Sequence, residues 1–396
     1  MSQAYSDLGV SAKKEDVHAA TKDNDKGLYP YSFCKINQMR GQPGWVEFMH
    51  SDGAGTKASL AYIYWRETGD MSVWKGVVQD SIVMNLDDIA CVGGLTGYIM
   101  LSANLDRNTF RIPGEVVHEL VNGENSFLEM LRGYGIDIVG QCGETADVPD
   151  LTPTLVVNNS MHCRMQEKNV IDNGRIKEGD LIVGLASSGR ADYETEFNGG
   201  SGSNGMTLMR HKVFSCKYSY KYPESYESKL KSNAYTGTRN LTDSIRCSDG
   251  SLTTLGKLVL SPTRTYAPVI KKMLDKGIGA AAISGIVHNS GGGQTKVLRY
   301  LSRPMRVVKD RMFETPEVFK IVQSEAKIGW ESMFEDCNMG HRMEIYTPDR
   351  DVASEIVYIS TKLGVDAEVI GEVKPAKNDR REVIINSRYG SFSYCR

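Results

Sequence analysis

The sequence lacks any apolar run near the roughly 18 residues that a membrane-spanning helix needs. Its first 27 residues contain no apolar stretch of the kind a secretory leader carries. Neither a span nor a cleaved leader is therefore expected, and no membrane partner. Eight cysteines in 396 residues form no C-x-x-C pair, and seven histidines form no H-E-x-x-H. These absences exclude the common zinc signatures and a disulfide-stapled scaffold, and predict reduced thiols in a cytoplasmic protein. Net charge is only −2, so no global field draws in nucleic acid. A small anion has to be held by local features. The phosphate-loop pattern G-x-x-x-x-G-K-[ST] is absent as well.

What is present is ordinary globular composition: 40% hydrophobic and 24% charged residues, enough for a sizeable core. Strand and helix patterns alternate without a regular βαβ rhythm, which predicts an α+β fold. Residues 1–27 read as a polar arm. "GWVEFMH" alternates like a strand, Lys57–Thr68 has helical spacing with Gly69 as its stop, and Ser72 is placed to cap a helix to Cys91. Pro113 suits the first turn of another helix. "GYIMLSAN", "IDIVGQ" and "LTPTLVVNNSMHCRM" read as strands. The polar connector "VIDNGRIKEGD" sets a boundary between a domain of residues 1–172 and a second of residues 173–396. The second holds "LIVGLA", a helix from Asn204, a Tyr/Ser/Lys-rich insertion near 215–251 read as surface, and a helix after Pro262. It continues with strand "AAAISGIVH", a glycine turn and another helix, and closes with strand "HRMEIYT", helix 349–363, strand "DAEVIGEV" and a tail. "RPMRVVKDR" reads as a solvated strand edge.

Five constellations can carry chemistry. In "HSDGAGTKASL", Asp52, Gly53, Gly55, Thr56 and Lys57 fall between a strand and a helix start. Glycines let backbone N–H groups approach an anion, and a carboxylate fits there if Mg²⁺ bridges it to phosphate. An ordinary glycine turn is the alternative. Asp80, Asp87 and Asp88 share a helix face, either wet or compensated by a cation. "GQCGETADVPD" offers Glu144, Thr145 and Asp147 in a loop after a strand, as binding groups or as a simple turn. Two glycine-rich loops precede helices, one with Ser188, Gly189, Asn204 and Gly205, the other with Gly291, Gly292 and Gly293. They suit phosphate approach or are flexible tips. In "LSPTRTYAP", Arg264 sits in the first turn of the predicted helix, against its dipole, which a phosphate partner would offset.

Taken in order, "DGAGTK" (52–57), "LDDIACVGG" (86–94), "GETADVPD" (143–150), "LIVGLASSG" with "SNGMTLMR" (181–210), "SPTRTY" (261–266), "HNSGGG" (288–293) and "NMGHRM" (338–343) resemble the phosphoribosylformylglycinamidine cyclo-ligase (AIR synthetase) family. The resemblance implies two α/β-mixed domains. The first would associate with a second copy through β-strands, giving a homodimer, and the second would have a mixed sheet flanked by helices. It implies ATP-dependent closure of an imidazole ring on a phosphoribosyl substrate in purine biosynthesis. The formamide oxygen would be phosphorylated and then displaced by a nitrogen of the same molecule. By the same resemblance, Asp52, Asp88 and Glu144 hold Mg²⁺ on ATP, and Lys57 neutralises phosphate oxygens. Ser188, Gly189, Asn204, Gly205, Gly291, Gly292, Gly293 and Arg264 meet phosphates, and Gly53, Gly55, Thr56, Asp87, Thr145 and Asp147 complete the nucleotide site.

The chain also departs from the family pattern. "YPYSFCKINQMRGQPG" replaces a glycine-rich segment, the histidine that the family places just before "SNG" is missing, Ser203 being preceded by Gly202, Asp87 replaces an asparagine, and Cys142 replaces a glycine. The insertion has no counterpart. Other members of the superfamily offer alternatives: a selenophosphate synthetase would use Cys34, and a hydrogenase-maturation enzyme would use a C-terminal cysteine near Cys395. A non-catalytic nucleotide-binding homologue is a third.

Overall fold

The computed structural model describes residues 7–10 and 15–396 and divides their strands among a five-stranded sheet, a seven-stranded sheet and a two-stranded ribbon. The first sheet contains β1 (Asn37–Gln38), β2 (Trp45–Gly53), β3 (Tyr98–Arg107), β4 (Ile138–Asp147) and β5 (Leu155–Gln166), in the order β1-β2-β5-β3-β4. Only the β3–β4 pair is parallel. Along β2, Val46 and Phe48 are buried while Met49 is exposed. Side chains alternate between faces of a strand, so His50 and Asp52 continue the inward row.

Helix α1 (Glu15–Ala20) precedes this sheet, and α2 (Lys57–Thr68), α3 (Val73–Cys91) and α4 (Gly114–Gly133) belong with it. Gly69 ends α2 with φ of 74°, its N–H donating to Trp65 O, as a left-handed cap requires. Helix α3 is buried almost all round. A helix apolar on every side belongs in an interior, and α3 is sandwiched: β2 and β5 lie on one side, β9 and α8 on the other.

The second sheet runs β14-β13-β10-β12-β6-β11-β9. Its strands are β6 (Leu181–Ala186), β9 (Gly285–His288), β10 (Met305–Lys309), β11 (His341–Thr347), β12 (Ala367–Pro375), β13 (Glu382–Ser387) and β14 (Gly390–Cys395). It is mixed, because β10 and β13 run parallel and the other pairs antiparallel. Helices α5 (Met206–Val213), α8 (Ala267–Asp275), α9 (Glu317–Ala326), α10 (Trp330–Asp336) and α11 (Arg350–Lys362) accompany it, while α6 (Lys217–Lys221), the β7 (Ser244–Arg246) and β8 (Leu252–Thr254) ribbon and α7 (Leu255–Val259) lie between α5 and α8. The fold is thus α+β, as expected. Among the described residues no helix is long and apolar enough to cross a membrane.

Several local expectations need correction. The C-terminal tail is the β13–β14 hairpin, with Val383 and Ile385 turned into the core. "RPMRVVKDR" supplies β10, an interior strand whose Lys309 is fully buried. "GQCGETAD" is part of β4, not a loop, because it pairs with β3 as far as Asp147. The strand expected at 280–288 is confined to β9. Ser72 does not cap α3 and gives its hydroxyl to Asp70 instead. Of the expected polar arm, residues 1–6 and 11–14 lie outside the described residues, while Leu8 is buried in the core.

The 215–251 insertion is not a surface decoration. Tyr218, Tyr222 and Tyr235 are buried, and a fully buried large side chain is worth roughly 1.5–3 kcal/mol. Tyr62 of α2 donates to Glu224 at 2.7 Å, and Tyr222 donates to Glu67 at 2.6 Å. The insertion thereby fastens α2, from the first sheet's side, to the segment that follows α5.

Candidate functional site

The family-like segments other than 143–150 converge between the two sheets and separate into two environments. One is a dry seam. Lys57, at the start of α2, is fully buried, and its Nζ donates to Asp80 Oδ1 at 2.8 Å and to Ser261 O at 2.6 Å. Asp80 also accepts from Thr263 N and Thr263 Oγ1. Burial pushes the Asp80 carboxyl up and the Lys57 ammonium down, so each charge depends on the other. One α3 turn-pair further, Asp87 accepts from Thr265 Oγ1 at 2.7 Å and from Tyr266 N. The acidic face of α3 is therefore neither wet nor metal-bound at Asp80 and Asp87. It clamps the 261–266 segment.

Arg264 lies in that segment, three residues before α8 begins, and not in a helical turn. It is almost completely buried. Its guanidinium pairs with Glu194 and donates to Ala186 O and Ser188 O. Glu194 comes from "RADYETEFNGGSG", so a carboxylate of the chain occupies the place expected for a phosphate. For Lys57, Arg264 and Asp87, direct ligand contact is replaced by contacts within the protein, because each is buried against a partner of matching chemistry.

The other environment is a polar cleft. Asp52 is exposed at the end of the inward row of β2, and its carboxylate accepts from Gly53 N at 2.7 Å. Asn85 of α3 donates to Asp52 O at 3.3 Å and accepts from His50 Nδ1 at 2.8 Å. Asp88 receives two imidazoles: His50 Nε2 stands 3.2 Å from Oδ2, and His288 Nδ1 stands 2.7 Å from Oδ1. Burial opposes protonation of His50, but the Asp88 carboxylate outweighs it and raises its pKa to about 9. Burial would raise Asp88, yet the two histidines hold its carboxyl well below the usual carboxylate range. His288 Nε2 is buried with no hydrogen-bond partner.

Loops from both sides meet at this cleft. Thr56, after Gly55, faces Thr207 of α5 at 2.9 Å between hydroxyl oxygens. A side chain added at Gly291 would stand 3.4 Å from Asn204 Nδ2, so the two glycine loops touch. Gly293 has φ of 47°, and a Cβ there would come within 2.7 Å of Phe334 O and Cys337 O. Only glycine fits that approach. Gly205 caps α5 with φ of 81°, and Gly292 opens a short 3₁₀ turn, Gly293–Arg299, with φ of 102°. Ser188 and Gly189 follow β6, and Gly189 pairs with Asn198 in an isolated bridge.

Glu144, Thr145 and Asp147 do not join this cleft. The register links Asp52 to Asn159, Asn159 to Ala103 and Ala103 to Gly143. Those are three strand spacings, about 14 Å in all, too far for Asp52 and Glu144 of one chain to share an ion. Asp147 instead pairs with Arg107 at 2.8 Å. Among the described residues no trio of His, Cys, Asp or Glu is arranged to hold a metal. The set Asp52, Asp88 and Glu144 therefore does not fit one Mg²⁺ within a chain, and both Asp88 oxygens already face imidazoles.

His50 and His288 escaped the sequence reading. The signal for His50 was its position two residues before Asp52 on the same strand face; His288 directly precedes a glycine loop already singled out. Cys34 is buried, and burial pushes its thiol well up, which disfavours the reactive thiolate that a selenophosphate synthetase would need.

Residues 35–165 match the family described as AIR synthase related protein, N-terminal domain. The chain is similar over most of its length to curated proteins named phosphoribosylformylglycinamidine cyclo-ligase. The protein of Methanococcus vannielii is 25% identical over 93% of this chain and 92% of its own length. That of Fusobacterium nucleatum is 28% identical over 94% and 97%. Among solved structures, Thermotoga maritima PurL complexed with ADP superposes with a TM-score of 0.54 at 11% identity, covering 99% of this chain and 50% of that one. A HypE chain from a HypE–HypF complex gives 0.51 at 17% identity, covering 98% and 99%. These likenesses are to the fold.

Proposed function

We propose, from the premise that this chain is a divergent member of the AIR synthase related family, that it is an ATP-dependent phosphoribosylformylglycinamidine cyclo-ligase. The reading rests above all on the meeting of loops from opposite sheets, Gly53–Thr56 against Thr207 and Asn204 against Gly291. Phosphoryl transfer to a small molecule needs positioning and charge stabilisation more than a protein nucleophile. The full-length likeness to curated cyclo-ligases supports the substrate.

In this reading the γ-phosphoryl group of ATP passes to the formamide oxygen, releasing ADP. A nitrogen of the same substrate attacks the former carbonyl carbon, the carbon–oxygen bond to phosphate breaks, and one proton leaves the nitrogen. The exposed Gly55 and Thr56, with the partly exposed Asn204, Gly291 and Gly292, would receive phosphate oxygens. His288 is held through Nδ1 by Asp88, with its buried Nε2 unpartnered, and the departing proton passes to solvent. No step is assigned to a metal.

We also propose a homodimer formed through the first sheet. Its outward face exposes Met49 and Val156, 65% and 38% accessible. Sedimentation analysis would register a monomer if that face has no partner.

The deciding experiment incubates the pure protein with formylglycinamidine ribonucleotide, ATP and magnesium, and follows the aminoimidazole and ADP formed. Equal amounts of both are expected. ADP without aminoimidazole, or neither product, would overturn the assignment.

A further inference from the structure

Among the described residues two lysines are fully buried, and each has a carboxylate. Lys57 pairs with Asp80, and Lys309 pairs with Glu344 inside a network that also includes Asn289, His341 and Tyr346. Lys296 does not follow this rule. It lies on the 3₁₀ turn that begins at the third glycine of the Gly291–Gly293 loop. Its stem folds back over the loop, so that a Cβ at Gly292 would stand 3.8 Å from Lys296 Cδ. Its Nζ sits 5.7 Å from the ring centre of Phe33, which itself stacks on Tyr300 at 4.2 Å.

Among the described residues Lys296 makes no ion pair and no hydrogen bond. Asp88 and Asp52 are the acidic groups whose charge reaches it, and burial lowers its pKa from the ordinary lysine value. A half-buried ammonium without a direct anionic partner is costly. It is tolerated where a ligand completes the pair, and a lysine point charge is well matched to phosphate. The two other cations expected to serve phosphate, Lys57 and Arg264, are engaged with Asp80 and Glu194. Lys296 is the lysine of the cleft left to do so.

We propose that Lys296 is the phosphate-binding cation of the cleft, meeting a phosphate group carried either on the nucleotide or on the ribose of the substrate. The Phe33–Tyr300 stack positions it, with the ring of Phe33 steadying the ammonium until the anion arrives. This rests on the reading that the cleft accepts a phosphorylated substrate, but not on the ring closure itself.

The test is calorimetric binding of two probes, ATP with magnesium and ribose 5-phosphate, to the full chain and to its Lys296→Gln and Lys296→Arg variants. Unchanged thermal midpoints would certify the folds. A tenfold or greater loss of affinity in Lys296→Gln, with Lys296→Arg within about threefold of the parent, is expected for one probe. Loss for ATP assigns the contact to the nucleotide; loss for ribose 5-phosphate assigns it to the substrate. Equal affinity of Lys296→Gln and parent for both probes overturns the proposal, as does a parent that binds neither. A parent that binds ATP yet makes no aminoimidazole defeats the cyclo-ligase reading and leaves the Lys296 result standing on its own.

Discussion

The seam at residues 261–266 and the cleft around the glycine loops are built from the same residue types, yet they treat charge in opposite ways. At the seam, Lys57, Asp80 Oδ1, Asp87 and Arg264 are each matched by donors or acceptors from the chain, while Asp80 Oδ2 is buried without a partner. In the cleft, Asp52 is exposed, Lys296 has no anion and His288 Nε2 has no partner. Groups satisfied internally hold the fold together; the proposed ligand contact falls on Lys296, which no anion of the chain satisfies. A family-like motif thus contains both kinds, and its pattern of letters does not tell them apart.

The comparison breaks most sharply at Asp80. Asp80→Ala leaves the Lys57 ammonium buried without its carboxylate, and a loss of about 3–5 kcal/mol is expected in urea unfolding. A loss under 1 kcal/mol would mean the seam is not dry.

The His50–Asp88 contact should appear as a pH dependence. The pKa of His50 is raised in the folded state, to about 9 from 6.5. Its stabilisation is therefore fully present below pH 6.5 and lost as pH rises through about 9. At most about 3.5 kcal/mol is at stake, from roughly 1.4 kcal/mol per pKa unit. Unfolding of the parent and of His50→Gln at pH 6 and pH 10 should diverge at the lower pH and converge at the higher. Parallel curves would remove the pair from the account.

Lys296→Gln sharpens the contrast with Lys57. No carboxylate is stranded by its loss, so stability should change by less than about 1 kcal/mol. A cost like that of Asp80→Ala would place Lys296 in the seam class. Smallest of all, Asp147→Ala should cost within about 0.5 kcal/mol, because its pair with Arg107 is at the surface. ATP affinity should not move, which calorimetry can check.

Much of the fold was legible because its signals are local. Gly69 stops α2, alternation marks β2, and the spacing of 73–91 marks α3. What was illegible depended on contacts distant in sequence. The terminal hairpin reads as a polar tail until β10 supplies its parallel neighbour. The buried tyrosines of the insertion become core only once α2 lies against them. Arg264 was rightly suspected of needing an anion, but Glu194, seventy residues earlier in the chain, already provides one. The distance between Asp52 and Glu144 follows from strand order, which no motif encodes.

The seam also governs how this polypeptide could be cut. Separating it near residue 172 would break one peptide bond, but would also strip Asp80 and Asp87 of Thr263, Thr265 and Tyr266. The front fragment would carry a bare apolar helix flank with stranded acids, and the rear fragment an arginine-bearing segment with nothing to brace it. Neither piece is a self-sufficient module. Melting should accordingly be a single cooperative event, and a split version should regain order only when both pieces are made together.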